Sequence, residues 1–296
     1  MNLADIAGRL PIPDEVRSRL PLPERQIAVV RLEGVISASG GMRRTGISLE
    51  RLESPLKKAF GLPGLQAVAL AINSPGGAPT QSALVADRIR GLAAEKGVPV
   101  IAFCEDVAAS GGYWLACAAD EIIAHPTSLV GSIGVVSGGF GLDEAIERYG
   151  IERRLYTAGE NKARLDPFRP EDPDDVAWLR GELEELHRLF TDWVRERRGD
   201  RLSDDEAKAF SGEVWTGGRA KELGLVDGLG TLRGVLSERW PKAKIVPVSS
   251  SKGLASRLLG QGSSTAFGPA AALGPDLVPE ALRALEERAT WARFGL

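Results

Sequence analysis

At 296 residues, 43% hydrophobic and 26% charged, the chain has the composition of a soluble globular protein, long enough for one large domain or two. Lys+Arg 37 against Asp+Glu 40 leaves a net charge of −3, which excludes the basic footprint of a nucleic-acid binder or an anionic-membrane binder. Collagen-like, disordered and disulfide-stapled classes are excluded by the same composition.

In chain order, residues 1–25 carry Pro11, Pro13, Pro21 and Pro23 among Leu and Ile, which reads as a Pro-rich arm. The first residues, Met1-Asn2-Leu3-Ala4-Asp5, hold an acid where a signal peptide wants basic residues. No apolar run approaches the roughly 20 residues that cross a bilayer, so a cytoplasmic chain is expected, with peripheral membrane association left open. From 26 to 248 the pattern alternates. Strands are predicted at 27–32, 67–72, 98–103 and 121–124, with helices near 48–60, 80–96 and 111–119 between them. Strands apolar on successive residues suit a sheet covered on both faces, hence an α/β domain. A long helix is predicted over 172–198, its stripe of Leu179, Leu183, Leu186, Phe190 and Trp193 facing a core. Residues 249–296 comprise a Gly/Ser-rich linker and a helical tail over 279–294. Cys104 and Cys117 lie in apolar runs without a C-x-x-C or Cys/His cluster and read as buried thiols.

Three segments could carry chemistry. Asn73-Ser74-Pro75-Gly76-Gly77 follows a strand and precedes a helix, where a glycine pair leaves N–H groups uncovered for an anion; a plain turn reads as well. Ser110, in Ala109-Ser110-Gly111-Gly112, sits at a strand-to-helix junction like a nucleophile elbow, and equally where an N-cap serine would sit. A serine nucleophile needs a base. The chain has two histidines, His125 and His187, neither in a motif. Lysine is the other choice, because a desolvated ammonium gives up its proton while arginine does not. Lys162 is the single lysine between Lys96 and Lys208; on its own it reads as a solvated loop charge.

Together, Asn73-Ser74-Pro75-Gly76-Gly77, Ala109-Ser110-Gly111-Gly112-Tyr113, Gly131-Ser132-Ile133-Gly134-Val135, Lys162 with Pro167-Phe168, and Val214-Trp215-Thr216-Gly217 into Gly224-Leu225-Val226-Asp227 resemble the signal peptide peptidase A (protease IV) family. The resemblance implies a Clp protease/crotonase-like α/β fold and a serine peptidase working through a Ser/Lys dyad and an acyl-enzyme. It implies Ser110 as nucleophile, Lys162 as general base, Ser132 as the residue orienting the lysine, and Gly77 and Gly111 as oxyanion-hole donors. It also implies extended, apolar peptide or unfolded-protein substrates, signal-peptide remnants among them, and a homo-oligomer. No metal or cofactor is implied. A crotonase-like acyl-CoA enzyme and a non-catalytic scaffold of the same fold are the alternatives.

Overall fold

The computed structural model describes residues 23–38, 46–249 and 288–295. The arm as far as residue 22 and the linker with most of the tail therefore lie outside the described residues. In chain order the elements are β1 (Gln26–Glu33), α1 (Leu49–Phe60), β2 (Leu65–Ser74), α2 (Pro79–Lys96), β3 (Val100–Ala109), α3 (Gly111–Ala116), β4 (Glu121–Ala124), β5 (Leu129–Gly131), α4 (Asp143–Arg148), α5 (Pro173–Arg198), α6 (Glu206–Ala209), β6 (Val214–Thr216), α7 (Gly217–Glu222), β7 (Gly228–Leu229), α8 (Leu232–Arg239) and β8 (Lys244–Val248).

The eight strands form one sheet in the order β6-β5-β3-β2-β1-β8, with β4 beside β3 and β7 beside β4. Every pairing is parallel except β5 with β6. β2 lies between β1 and β3, and its residues from Ala67 to Ile72 are all buried, the condition a parallel strand meets when both faces are covered. Val68, Leu70 and Ile72 pack with Leu56, Phe60, Val85 and Ile89 on one side. Ala67 and Ala69 pack with Ile27, Ile101, Phe103 and Leu236 on the other. Period-two alternation thus sends successive β2 side chains into two different cores.

The helices end where local chemistry ends them. Pro79 opens α2 at a position that needs no N–H donor, and Gly97 closes it with φ 63°, its N–H donating to the Ala93 carbonyl. Asp172 caps α5 by accepting the N–H of Asp174 at 2.8 Å, and Arg195, Arg197 and Arg198 occupy its last turn, where the helix dipole favours cations. The apolar stripe of α5 is only partly core-facing. Phe190 is buried against Trp114, but Leu179, Leu183 and Trp193 are half-buried and Leu186 is exposed.

The C-terminal end of α5 is locked by a buried ion pair. Arg198, 2% exposed, donates from Nη1 and Nη2 to the two carboxylate oxygens of Asp227 at 2.8 and 2.9 Å, and from Nε to the Gly224 carbonyl at 2.9 Å. Asp227 also accepts the N–H of Ile122 at 2.7 Å, which joins the pair to β4. Burial opposes ionisation of Asp227, but the Arg198 guanidinium, the Ile122 N–H and the nearby Arg201 charge outweigh it and hold the carboxyl below its ordinary range. Cys104 and Cys117 are free and buried, as their apolar surroundings implied; burial pushes both thiols up to about 12.

Candidate active site

Ser110 stands between β3 and α3 with φ 52° and ψ −124°. A left-handed φ is costly for a residue with a Cβ, and such strain is kept where surrounding structure enforces it. Here the enforcement is visible: the Ser110 N–H donates to the Gly131 carbonyl at 2.8 Å, and its own carbonyl accepts the N–H groups of Tyr113 and Trp114 at 2.9 and 3.0 Å. The Ser110 side chain makes no capping hydrogen bond to α3, so the N-cap reading does not describe its hydroxyl.

The glycine loop after β2 presses against this turn. A Cβ on Gly76, whose φ is 103°, would lie 2.7 Å from the Ser110 Cβ and 2.8 Å from the Gly111 nitrogen, so no side chain fits there. A bridge to Ile36 holds the loop: Ile36 donates to the Gly76 carbonyl and accepts from Ala78, both at 2.8 Å. That pattern leaves the intervening Gly77 N–H pointing away from the bridge. The Gly111 N–H opens α3 and has no acceptor within the helix. A Cβ on Gly111 would meet the Gly77 nitrogen at 3.4 Å, so the two N–H groups are neighbours although they come from different strands.

Ser132 is reached through β5. Its N–H donates to the Glu213 carbonyl, continuing the antiparallel pairing of β5 with β6, and its φ is 52°. Gly77, Ser110, Gly111 and Ser132 all line one cavity of about 350 Å³. Pro75 and Ser82 also line it, and Trp114, Val135, Val136, Leu186 and Phe190 contribute apolar lining. Thr290, Arg293 and Phe294 also border it. Trp114 stacks on Trp193 with ring centroids 6.0 Å apart and lies 5.0 Å from Phe190, which fixes this lining to α5. Sequence reading left out Ser82, Trp114 and the tail residues. Trp114 could have been found as the next residue but one after Gly112; nothing in the sequence signals Ser82.

Lys162 does not line this cavity. It is exposed, in a turn over 158–165, and that turn is tied to the start of α5: Leu165 N–H donates to Asp175 at 3.1 Å, and the Arg164 guanidinium pairs with Asp175 at 3.1 Å and lies 4.9 Å from the Trp178 ring. The α5 residues of the cavity, Leu186 and Phe190, come 11 and 15 positions after Asp175. At 1.5 Å per residue that is about 16 to 22 Å along the helix from the residue that anchors the turn. The segment carrying Lys162 exposes large apolar side chains, Phe140 at 84%, Tyr149 at 79% and Tyr156 at 91%.

Neither histidine faces the cavity. His125 is exposed, its Nδ1 2.7 Å from the Thr127 hydroxyl. The Nε2 of His187 lies 3.2 and 3.1 Å from the carbonyls of Ile133 and Phe210, so an N–H there donates to both and ties α5 to the residue after Ser132.

Residues 93–245 match the family model described as Peptidase family S49. Among curated proteins, the chain is 47% identical over 275 residues to the Na(+)/H(+) antiporter NhaA of Brucella abortus, covering 92% of this chain and 37% of that protein. It is 34% identical over 224 residues to the chloroplastic serine protease SPPA of Arabidopsis thaliana, covering 74% and 33%. The chain thus spans about a third of the length of these relatives. Among the described residues no helix is long and apolar enough to cross a membrane. A solved mutant of the 1510-N membrane-bound stomatin-specific protease aligns with a TM-score of 0.48 and 12% identity, over 78% of this chain and 100% of that one.

Proposed function

Since the chain belongs to peptidase family S49, we propose that it is a serine peptidase with Ser110 as its nucleophile and Lys162 of a neighbouring copy as its general base. Ser110 Oγ attacks the scissile carbonyl as the neutral lysine amine takes the hydroxyl proton. The carbonyl oxygen gathers negative charge facing the N–H groups of Gly77 and Gly111. The lysine ammonium then protonates the leaving amine, which departs and leaves an ester on Ser110. Water, giving a proton to the lysine, hydrolyses that ester, and Ser110 recovers its proton. Ser132 orients the amine through its hydroxyl.

The observation carrying this reading is the strained Ser110 turn, which shares one cavity with two neighbouring N–H groups that have no helix or bridge acceptor. Supply of the lysine by a second copy is supported by two observations: Lys162 does not line the cavity of its own chain, and its segment exposes Phe140, Tyr149 and Tyr156. Self-association through this segment would bring apolar surface and base together. The apolar lining of Trp114, Leu186 and Phe190 suits extended apolar peptides, including signal-peptide remnants and unfolded segments.

A fluorophosphonate probe followed by peptide mapping tests the nucleophile. Labelling is expected at Ser110, absent in Ser110→Ala and retained in His125→Ala, which should also keep wild-type cleavage of an apolar peptide. A labelled residue other than Ser110, or loss of activity in folded His125→Ala, contradicts the reading. An acyl-CoA enzyme of the same fold would leave the peptide intact.

A further inference from the structure

β3 changes neighbours in mid-strand. As far as Cys104 it pairs with β4, and from Val107 it pairs with β5. β2 runs along its other side throughout, but the register jumps: Ile72 faces Cys104, whereas Ser74 faces Ala108. Two steps along β2 therefore match four along β3, and Glu105 and Asp106 bulge out of the ladder. A bulge leaves backbone groups that need other partners. Two side chains provide them. On the β2 side, Asn73 Oδ1 accepts the N–H of Val107 at 3.2 Å while Asn73 Nδ2 donates to the Asp106 carboxylate at 3.1 Å. On the opposite side, Ser128 Oγ donates to the Cys104 carbonyl at 2.9 Å and accepts the N–H of His125 at 3.0 Å. Val107 is fully buried, so its N–H cannot turn to solvent instead.

The two segments that carry Ser110 with Gly111 and Gly76 with Gly77 leave from this bulge. Ser110 comes three residues after Val107, and Gly77 four after Asn73. The Asn73 carbonyl accepts the Gly34 N–H at 3.0 Å, which draws in the chain leading to Ile36 and its bridge with Gly77. One residue thereby links the three segments whose separation sets the distance between the Gly77 and Gly111 N–H groups.

We propose that Asn73 is a positioning residue for Ser110: its amide holds the β3 bulge in the register that brings Ser110 and Gly111 against Gly76 and Gly77. This rests on the reading of Ser110 as nucleophile. The position needs an amide, because the side chain must accept from Val107 and donate to Asp106 at once; a carboxylate only accepts and meets the Asp106 charge, and a methyl does neither. Without the clamp the buried Val107 N–H is satisfied only if β3 slides, and sliding carries Ser110 with it.

The requirement supplies its own test. In Asn73→Ala and Asn73→Asp, kcat is expected to fall about 10- to 100-fold, the order of loss a displacement near 1 Å produces, with KM changed less than about twofold. The double variant Asn73→Asp/Asp106→Asn exchanges donor and acceptor between the two side chains and restores both bonds, so most of the lost kcat should return. Circular dichroism on each variant separates misfolding from misplacement, and if Asn73→Ala fails to fold, the comparison of Asn73→Asp with the double variant decides. A double variant no more active than Asn73→Asp, or single variants with wild-type kcat, overturns the proposal while fluorophosphonate labelling of wild-type Ser110 still stands. Failure of that labelling overturns the nucleophile reading instead, and this proposal with it.

Discussion

Ser110→Ala and Lys162→Ala are each expected to lower kcat about 10³-fold or more while leaving the protein folded, and a mixture of the two inactive proteins is expected to regain activity. Loss in the single variants follows from the roles proposed for them, since removing a nucleophile or its base leaves only binding and the oxyanion donors to act. Recovery in the mixture follows from geometry. Each Ser110→Ala copy still carries Lys162, and each Lys162→Ala copy still carries Ser110. If one copy's lysine serves its neighbour's serine, subunit exchange in a closed ring rebuilds sites at a frequency of about one half times one half, or roughly a quarter of wild-type activity. The experiment is to co-refold equal amounts and assay an apolar peptide, with light scattering to follow assembly. A mixture as inactive as its components, in particles shown to contain both variants, means that the lysine acts within its own chain or not at all. Replacing Tyr156, which is 91% exposed on the same segment, with a charged residue should lower activity and oligomer size together.

The largest expected effect on stability belongs to the Arg198–Asp227 pair. Asp227→Ala leaves the Arg198 guanidinium buried beside a single carbonyl acceptor, that of Gly224, and should cost about 3–5 kcal/mol in urea unfolding at pH 7. Replacing both residues with apolar ones of similar volume should cost less than either single change, because no buried charge is then left alone. The pH dependence has a definite sign. The Asp227 carboxyl is held below its ordinary range in the folded protein, so its contribution is complete above the unfolded value of about 3.9 and disappears as pH falls through the lower folded value. The gap between wild type and Asp227→Asn should therefore narrow steadily below about pH 4. A gap of constant size from pH 7 to pH 3 would show that the ionised pair is not its source.

Elements that have a period and residues that have a motif are legible along the chain. The apolar run of 67–72 reads as a doubly covered strand, and 172–198 reads as a helix, because a run of successive apolar residues and an apolar spacing of three and four are local facts. The glycines around Ser110 are legible for a similar reason: backbones that approach this closely exclude side chains, and the excluded side chains show as Gly-Gly pairs. Tertiary structure alone decided the rest. β5 and β6 have three residues each, too few for any periodicity, yet their antiparallel pairing is what delivers Ser132 to the cavity. The stripe on α5 is buried at Phe190, where the helix packs against Trp114 of α3, and open toward its start, which hydrophobic spacing cannot record. The bulge at Glu105 and Asp106 arises where β3 exchanges β4 for β5, an event fixed by strand order, and Asn73 acquires its purpose only there. Lys162 marks the limit most clearly. Its identity and spacing from Ser110 are plain in the chain, but spacing along a sequence says nothing about separation in space, and Lys162 is not among the residues that line the cavity of its own chain.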